Sequence, residues 1–151
     1  MNGQAEIGTA VCTHCSAVNR FSSGRDLSAA KCGKCGERMF TGKPTSVSGT
    51  VLDKLVRRGS VPVLVDVWAS WCGPCRMMAP AYEAAAKTLE PAVKLVKLNS
   101  EEEQAAASRL GIRGIPTLIL YRDGREVARQ SGAMPENDIV KWTRANLPRM
   151  T

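Results

Sequence analysis

The 151-residue chain has little apolar material at its front: before Trp68 the only aromatics are Phe21 and Phe40. Within residues 1–42 only Ile7, Val11, Val18, Phe21, Leu27, Met39 and Phe40 stand out, too few to stabilise a fold by burial alone. No stretch approaches the about 20 apolar residues that a membrane span requires. Residues 1–11 lack the basic start and apolar run of a secretory signal, so the expected compartment is a reducing cytoplasm. There, paired cysteines bind metal or do catalysis more often than they form structural disulfides. Like charges never run to five or six in a row. The net charge of +7 comes from six basic and three acidic residues in 1–47 and 15 and 11 in 48–151. That spread reads as a solvated basic surface and argues against a dedicated nucleic-acid groove.

What the chain does have is six cysteines in three Cys-x-x-Cys pairs: Cys12/Cys15, Cys32/Cys35 and Cys72/Cys75. The spacing alone does not separate a zinc clamp from a redox dithiol. The flanking residues do.

The first two pairs, Cys12-Thr13-His14-Cys15 and Cys32-Gly33-Lys34-Cys35-Gly36, are separated by 16 residues. They fit a structural zinc pattern, in which about 15–20 residues lie between one such pair and the next. Four thiolates in a tetrahedron leave no open position, so one structural Zn²⁺ on Cys12, Cys15, Cys32 and Cys35 is expected. Metal binding would supply the folding free energy that the sparse apolar content lacks. Gly33 and Gly36 suit tight knuckle turns. Three alternatives stand beside this reading. His14, the only histidine, replaces one of the first two ligands; the pairs are further redox dithiols; or oxidants convert the ligands to disulfides and the segment is a sensor.

Composition divides the chain into a zinc-binding four-cysteine module (1–42), a linker (43–49, KPTSVSG) and a mixed α/β domain (50–151). In the last, Thr50–Arg58 reads as a short amphipathic helix and Val61–Ala69 as a strand buried on both faces. Residues 72–89 read as a long helix that Pro80 should kink, with Met77 and Met78 as helix packing. Val93–Leu98 alternates like a strand. Ser100 with Glu103 suggests a capping box, a helix from Glu101 to Leu110 and a stop at Gly111. Asp123-Gly124 is a hairpin signal between strands Thr117–Tyr121 and Val127–Gln130, and Pro135 opens a final helix. The order α-β-α-β-α-β-β-α predicts a mixed sheet with helices on both faces.

The third pair lies where the buried strand gives way to the long helix. A helix N-terminus offers unpaired N–H groups and partial positive charge, which favour thiolate over thiol. Cysteines at i and i+3 in a first turn bring their Cα atoms to about 5 Å, within the disulfide window. Cys72 would attack a substrate disulfide and Cys75 would attack back to release reduced substrate. Asp66 is out of place in an apolar strand. It is either a buried carboxyl with raised pKa serving the cysteines as acid and base, or a partly exposed residue at a sheet edge or paired to a lysine such as Lys97.

The segment Val65-Asp66-Val67-Trp68-Ala69-Ser70-Trp71-Cys72-Gly73-Pro74-Cys75 resembles the active-site segment of the thioredoxin family. Gly111-Ile112-Arg113-Gly114-Ile115-Pro116-Thr117 resembles the family's second signature, in which the proline is cis. The likeness covers about residues 48–151. It implies a thioredoxin fold and a disulfide reductase with Asp66 as buried proton carrier and Lys97 near it. It further implies that Pro116 faces the dithiol and leaves the Ile115 backbone open to pair with substrate. Trp71, Gly73, Pro74, Gly132 and Ala133 would complete the docking surface, and Trp68 reads as core. With the four-cysteine module in front, the whole chain resembles the bacterial zinc-containing members of that family. The implied partners are an NADPH-dependent thioredoxin reductase and oxidised proteins, with no nucleic acid and no membrane. Rival readings are a zinc-organised interaction or chaperone-like module, and nucleic-acid binding through the zinc ribbon.

Overall fold

The computed structural model describes residues 7–148; expectations that fall on residues 1–6 and 149–151 lie outside it. The chain runs β1 (Ile7–Val11), β2 (Val18–Ser22), β3 (Thr45–Ser46), α1 (Gly49–Arg58), β4 (Val63–Trp68), α2 (Gly73–Leu89), β5 (Lys94–Asn99), α3 (Gln104–Arg109), β6 (Thr117–Arg122), β7 (Arg125–Ser131) and α4 (Glu136–Ala145). From α1 onward this is the order expected from the periodicity. The main sheet has strand order β3-β5-β4-β6-β7. β5 is parallel to both β3 and β4, whereas β6 is antiparallel to β4 and to β7. The sheet is therefore mixed.

β4 lies at its centre because nearly every side chain of VLVDVW can be buried. Val63, Val65 and Val67 face Leu52 and Leu55 of α1 and Ala106 of α3. Leu64 faces the other way, onto Met78, Tyr82 and Ala85 of α2 and Ile139 of α4. A fully buried Leu or Val contributes roughly 1.5–3 kcal/mol, so this double face fixes the register. Tyr82 ties the same region: its hydroxyl lies 2.8 Å from the Val96 carbonyl and 3.0 Å from that of Leu64, bridging β5 and β4.

Several local expectations change. Residues 43–49 have linker composition, yet they supply β3 as a sheet edge, and Val47 joins the core. As expected, Pro80 lies inside α2 without ending it. Met78 packs in the core, but Met77 is 79% exposed, because one residue along a helix turns the side chain about 100° away from its neighbour. The Ser100–Glu103 capping box does not form. Helix α3 starts at Gln104 with no side-chain cap. Glu103 accepts the Gly49 N–H at 2.7 Å instead, and Ser100 donates its hydroxyl to the Trp68 carbonyl. Tertiary partners outcompete the local cap. Gly111, with φ +66°, does end the helix, and the hairpin turn places Asp123 and Gly124 at φ +53° and +81°.

The four-cysteine module is seated against the domain. Strand β1 pairs with β2 on one side. On its other side Thr9 exchanges bonds with Ser60 and donates its hydroxyl to the Arg58 carbonyl. Val11 packs in the domain core, and Val61 of the domain packs against the module core. Between them sits a buried ion pair. Lys94 Nζ donates to the Met39 carbonyl at 2.9 Å, lies 5.4 Å from the Phe40 ring centroid and is 3.9 Å from Glu90 Oε2. Glu90 accepts the Gly42 N–H at 3.0 Å and the Leu95 N–H at 3.1 Å. Burial pushes the Glu90 carboxyl up and the Lys94 ammonium down, each opposed by the other's charge.

Removing one member of a buried pair leaves the other charged and alone, at about 3–5 kcal/mol. Lys94→Met is expected to lower unfolding free energy by that amount in urea titration, and Lys94→Met with Glu90→Leu to recover much of it.

Candidate functional site

Cys72 is the N-cap of α2, and Cys75 lies one turn in. The two form a disulfide with Cα atoms 5.3 Å apart, and both residues are buried. The Cys75 N–H donates to Cys72 Sγ at 3.2 Å, as a helix N-terminus allows. Gly73 has open space where a side chain would stand. Trp71 is 67% exposed beside the pair.

Across from the disulfide, the Ile115–Pro116 peptide is cis and the Ile115 carbonyl lies 3.7 Å from Cys72 Sγ. Among the described residues no hydrogen bond uses the Ile115 N–H. The Pro116 carbonyl accepts the Gly132 N–H at 2.8 Å, which brings exposed Gly132 and Ala133 to the same end of the sheet. An open groove of about 530 Å³ runs alongside, walled by Trp71, Gly73, Pro74, Ile112, Arg113 and Ile115. Ile112 and Arg113 belong to the second signature, but nothing in their own residue types announces a groove.

In β4, the strand that leads to the disulfide, Asp66 is 1% exposed, its two carboxyl oxygens buried without a hydrogen-bond partner. It sits in the central strand, not at an edge. Lys97 is its register partner on β5 but forms no ion pair with it within 4.0 Å; its Nζ lies 4.6 Å from the Trp68 ring centroid. Burial pushes the Asp66 carboxyl up to about 7, with the Lys97 charge pulling the other way. A group with that value exchanges a proton readily at neutral pH. Trp68 is half-buried, with its indole nitrogen unpartnered.

The other four cysteines gather at the opposite end of the sheet. Their sulfurs all lie within 4.8 Å of one another. Cys12 Sγ is 3.7 Å from Cys35 Sγ, and Cys15 Sγ is 3.6 Å from Cys32 Sγ. Each knuckle closes by the same backbone bonds, Ser16 N–H to Cys12 carbonyl and Gly36 N–H to Cys32 carbonyl, both 2.9 Å. Each also needs positive φ, +66° at Ser16 and +79° at Gly36. Gly36 meets the expectation; Gly33 has no such need, and its N–H donates instead to Asn19 Oδ1. The His14 and Lys34 N–H groups donate to Cys12 and Cys32 sulfurs, and Asn19 Nδ2 to Cys32 Sγ at 3.4 Å. Such donors stabilise thiolate. The His14 side chain is outside the cluster and exposed. Four soft donors in this arrangement, with N–H groups aimed at sulfur, fit a tetrahedral Zn²⁺. Asn19, which the sequence does not mark, holds the second knuckle.

Comparison with known proteins agrees with both halves. A family model described as Thioredoxin matches residues 43–145, and one described as "Thioredoxin 2, N-terminal" matches residues 11–37. Thioredoxin C-3 of Corynebacterium nephridii is 34% identical over 132 residues, 87% of this chain and 90% of that protein. Thioredoxin 1 of Synechococcus elongatus is 44% identical over 95 residues, 63% of this chain and 89% of its own. A solved mutant thioredoxin from Halobacterium salinarum superposes with TM-score 0.65 at 33% identity, covering 74% of this chain and 97% of that one. The chain belongs to the thioredoxin family of thiol-disulfide oxidoreductases. Its N-terminal match sets it with the zinc-containing kind, thioredoxin two. Among the described residues no helix is long and apolar enough to cross a membrane.

The Asp66 carboxyl sets a stability test. Its folded-state pKa lies above the ordinary 3.8, so stability present at low pH is lost as pH rises through about 7. Asp66→Asn, uncharged throughout, keeps it. Urea titrations of the two are expected to agree below about pH 4 and to differ by up to about 4 kcal/mol above neutrality, the variant being the more stable.

Proposed function

We propose that the protein is a protein-disulfide reductase, with residues 50–151 as the redox domain, 1–42 as a metal module and 43–49 joining them. Cys72 thiolate attacks one sulfur of a substrate disulfide, forming a mixed disulfide and releasing the other substrate sulfur as a thiolate. Cys75 then attacks Cys72 Sγ, which regenerates the Cys72–Cys75 disulfide and releases the second substrate thiolate. For that step Cys75 gives its proton to Asp66, and the Lys97 charge tempers how far Asp66 is raised. Substrate docks on Trp71, Gly73, Pro74, Gly132 and Ala133 and pairs its backbone with Ile115 beside Pro116. Two electrons return from an NADPH-dependent thioredoxin reductase, and oxidised proteins are the substrates. The setting is the cytoplasm. The observation that carries this reading is a Cys72–Cys75 disulfide at a helix N-terminus, faced by the Ile115–Pro116 loop and preceded by a strand with an unpartnered buried carboxyl.

The four-cysteine module is proposed to hold one structural Zn²⁺ through Cys12, Cys15, Cys32 and Cys35. The metal supplies folding free energy and no chemistry to the dithiol. The module sits at the start of β4 and the dithiol beyond its end. Six residues of strand put roughly 17–20 Å between them.

With NADPH and thioredoxin reductase supplying electrons, wild type is expected to precipitate insulin by reducing it and Cys72→Ser to lose the activity entirely; an inactive wild type defeats the reading. Metal analysis is expected to give one zinc per chain for wild type and Cys72→Ser and a marked loss in Cys12→Ser. Equal zinc in all three would remove the metal assignment.

A further inference from the structure

The turn between β4 and α2 carries Ser70, Trp71 and Cys72, and it is held by the loop that follows β5. Glu101 Oε1 accepts both the Ser70 N–H at 2.8 Å and the Ser70 hydroxyl at 2.6 Å. Ser100 donates twice to the Trp68 carbonyl, from its N–H at 2.8 Å and its hydroxyl at 3.0 Å. Glu101 is itself fixed, its N–H donating to Asn99 Oδ1 at 2.9 Å. From α2, Arg76 Nη1 donates to the Ser70 carbonyl at 3.3 Å.

The sequence pattern assigns Ser100 and Glu103 to a helix cap; in the structure Ser100 and Glu101 hold the turn before the nucleophile, while Glu103 goes to Gly49. Bonds to an ionised acceptor are about twice as strong as neutral ones. Their donors, the Ser70 hydroxyl first and its N–H second, hold the Glu101 carboxyl below the usual carboxylate range, so it is ionised at neutral pH. Trp71, next to Ser70 in the same turn, projects into solvent.

We propose that Glu101 is a positioning residue for Cys72, acting through Ser70 to fix the turn that presents the nucleophile and Trp71. This rests on the reductase reading for its consequence in turnover. The geometric claim stands apart from it, and the sign of one shift tells positioning from charge. A carboxylate near a thiol raises the thiol's pKa by charge alone, so deleting that charge lowers it. Loosening the turn instead draws Cys72 Sγ away from the Cys75 N–H and raises it.

The test is the pH dependence of Cys72 alkylation by iodoacetamide in the reduced full-length protein, read by mass spectrometry, beside kcat/KM for insulin. Glu101→Ala is expected to move the alkylation pKa upward and to lower kcat/KM by about tenfold, the scale of one charge-assisted hydrogen bond. Glu101→Gln, which keeps an acceptor for Ser70, should restore most of both. Ser70→Ala, which loses only the hydroxyl, should give a fraction of the effect and add nothing to Glu101→Ala. An alkylation pKa that falls or stays put in Glu101→Ala, or a Glu101→Gln as impaired as Glu101→Ala, overturns the proposal. Alkylation needs neither substrate nor reductase, so a wild type inactive on insulin would count against the reductase reading and leave this test in force.

Discussion

The redox end of the molecule depends on one placement, the Cys72 sulfur at the N-cap of α2, accepting the Cys75 N–H. A helix can offer that site only if something delivers the cysteine to its first turn at a fixed angle. β4 does so, because its valines and Leu64 are buried on opposite faces and leave its register no freedom. The same strand carries Asp66, whose carboxyl burial raises to about 7. That burial costs stability at neutral pH. Strained or costly groups of this kind gather at functional sites, and here the cost is confined to one side chain in an otherwise apolar strand.

The far end of β4 holds the second cysteine chemistry. Thr9, Val11 and Met39 dock there through backbone bonds, core packing and the buried Lys94–Glu90 pair, so the module belongs to the folded body. The sheet itself separates the two clusters. Thiolates gathered for a metal and thiolates poised for exchange differ in what surrounds them. The first receive N–H donors from two knuckles and Asn19; the second meet a helix terminus, a cis-proline loop and an open groove.

Much of this is legible in the residues. Apolar spacing places α1, β4, α2, β5 and α4, each of which buries an apolar face, while α3 and the β6–β7 hairpin are read from end and turn residues; β7 itself is almost wholly exposed. The two cysteine settings are separable by neighbours: Trp71, Gly73 and Pro74 after a β-branched run, against glycines and lysine around the other pairs. Contacts between distant segments are what the residues do not reveal. β1, β2 and β3 are short and read as module or linker, since pairing across the chain makes them strands. Ser100 and Glu103 satisfy a local capping rule and still go to Trp68 and Gly49, partners 32 and 54 residues away. Lys94 opens a strand of alternating pattern, and nothing nearby reveals the Met39 carbonyl and Phe40 ring that receive it. Met77 and Met78 differ only by which side of one helix faces in.

The central claim is that Cys72 attacks and Cys75 resolves. Reduced Cys75→Ser, incubated with a protein disulfide and analysed intact by mass spectrometry with peptide mapping, tests it most directly. The expected result is a persistent one-to-one adduct joined through Cys72, with Cys12, Cys15, Cys32 and Cys35 unmodified. An adduct on any of those four, or none at all while wild type still reduces the substrate, would contradict the account.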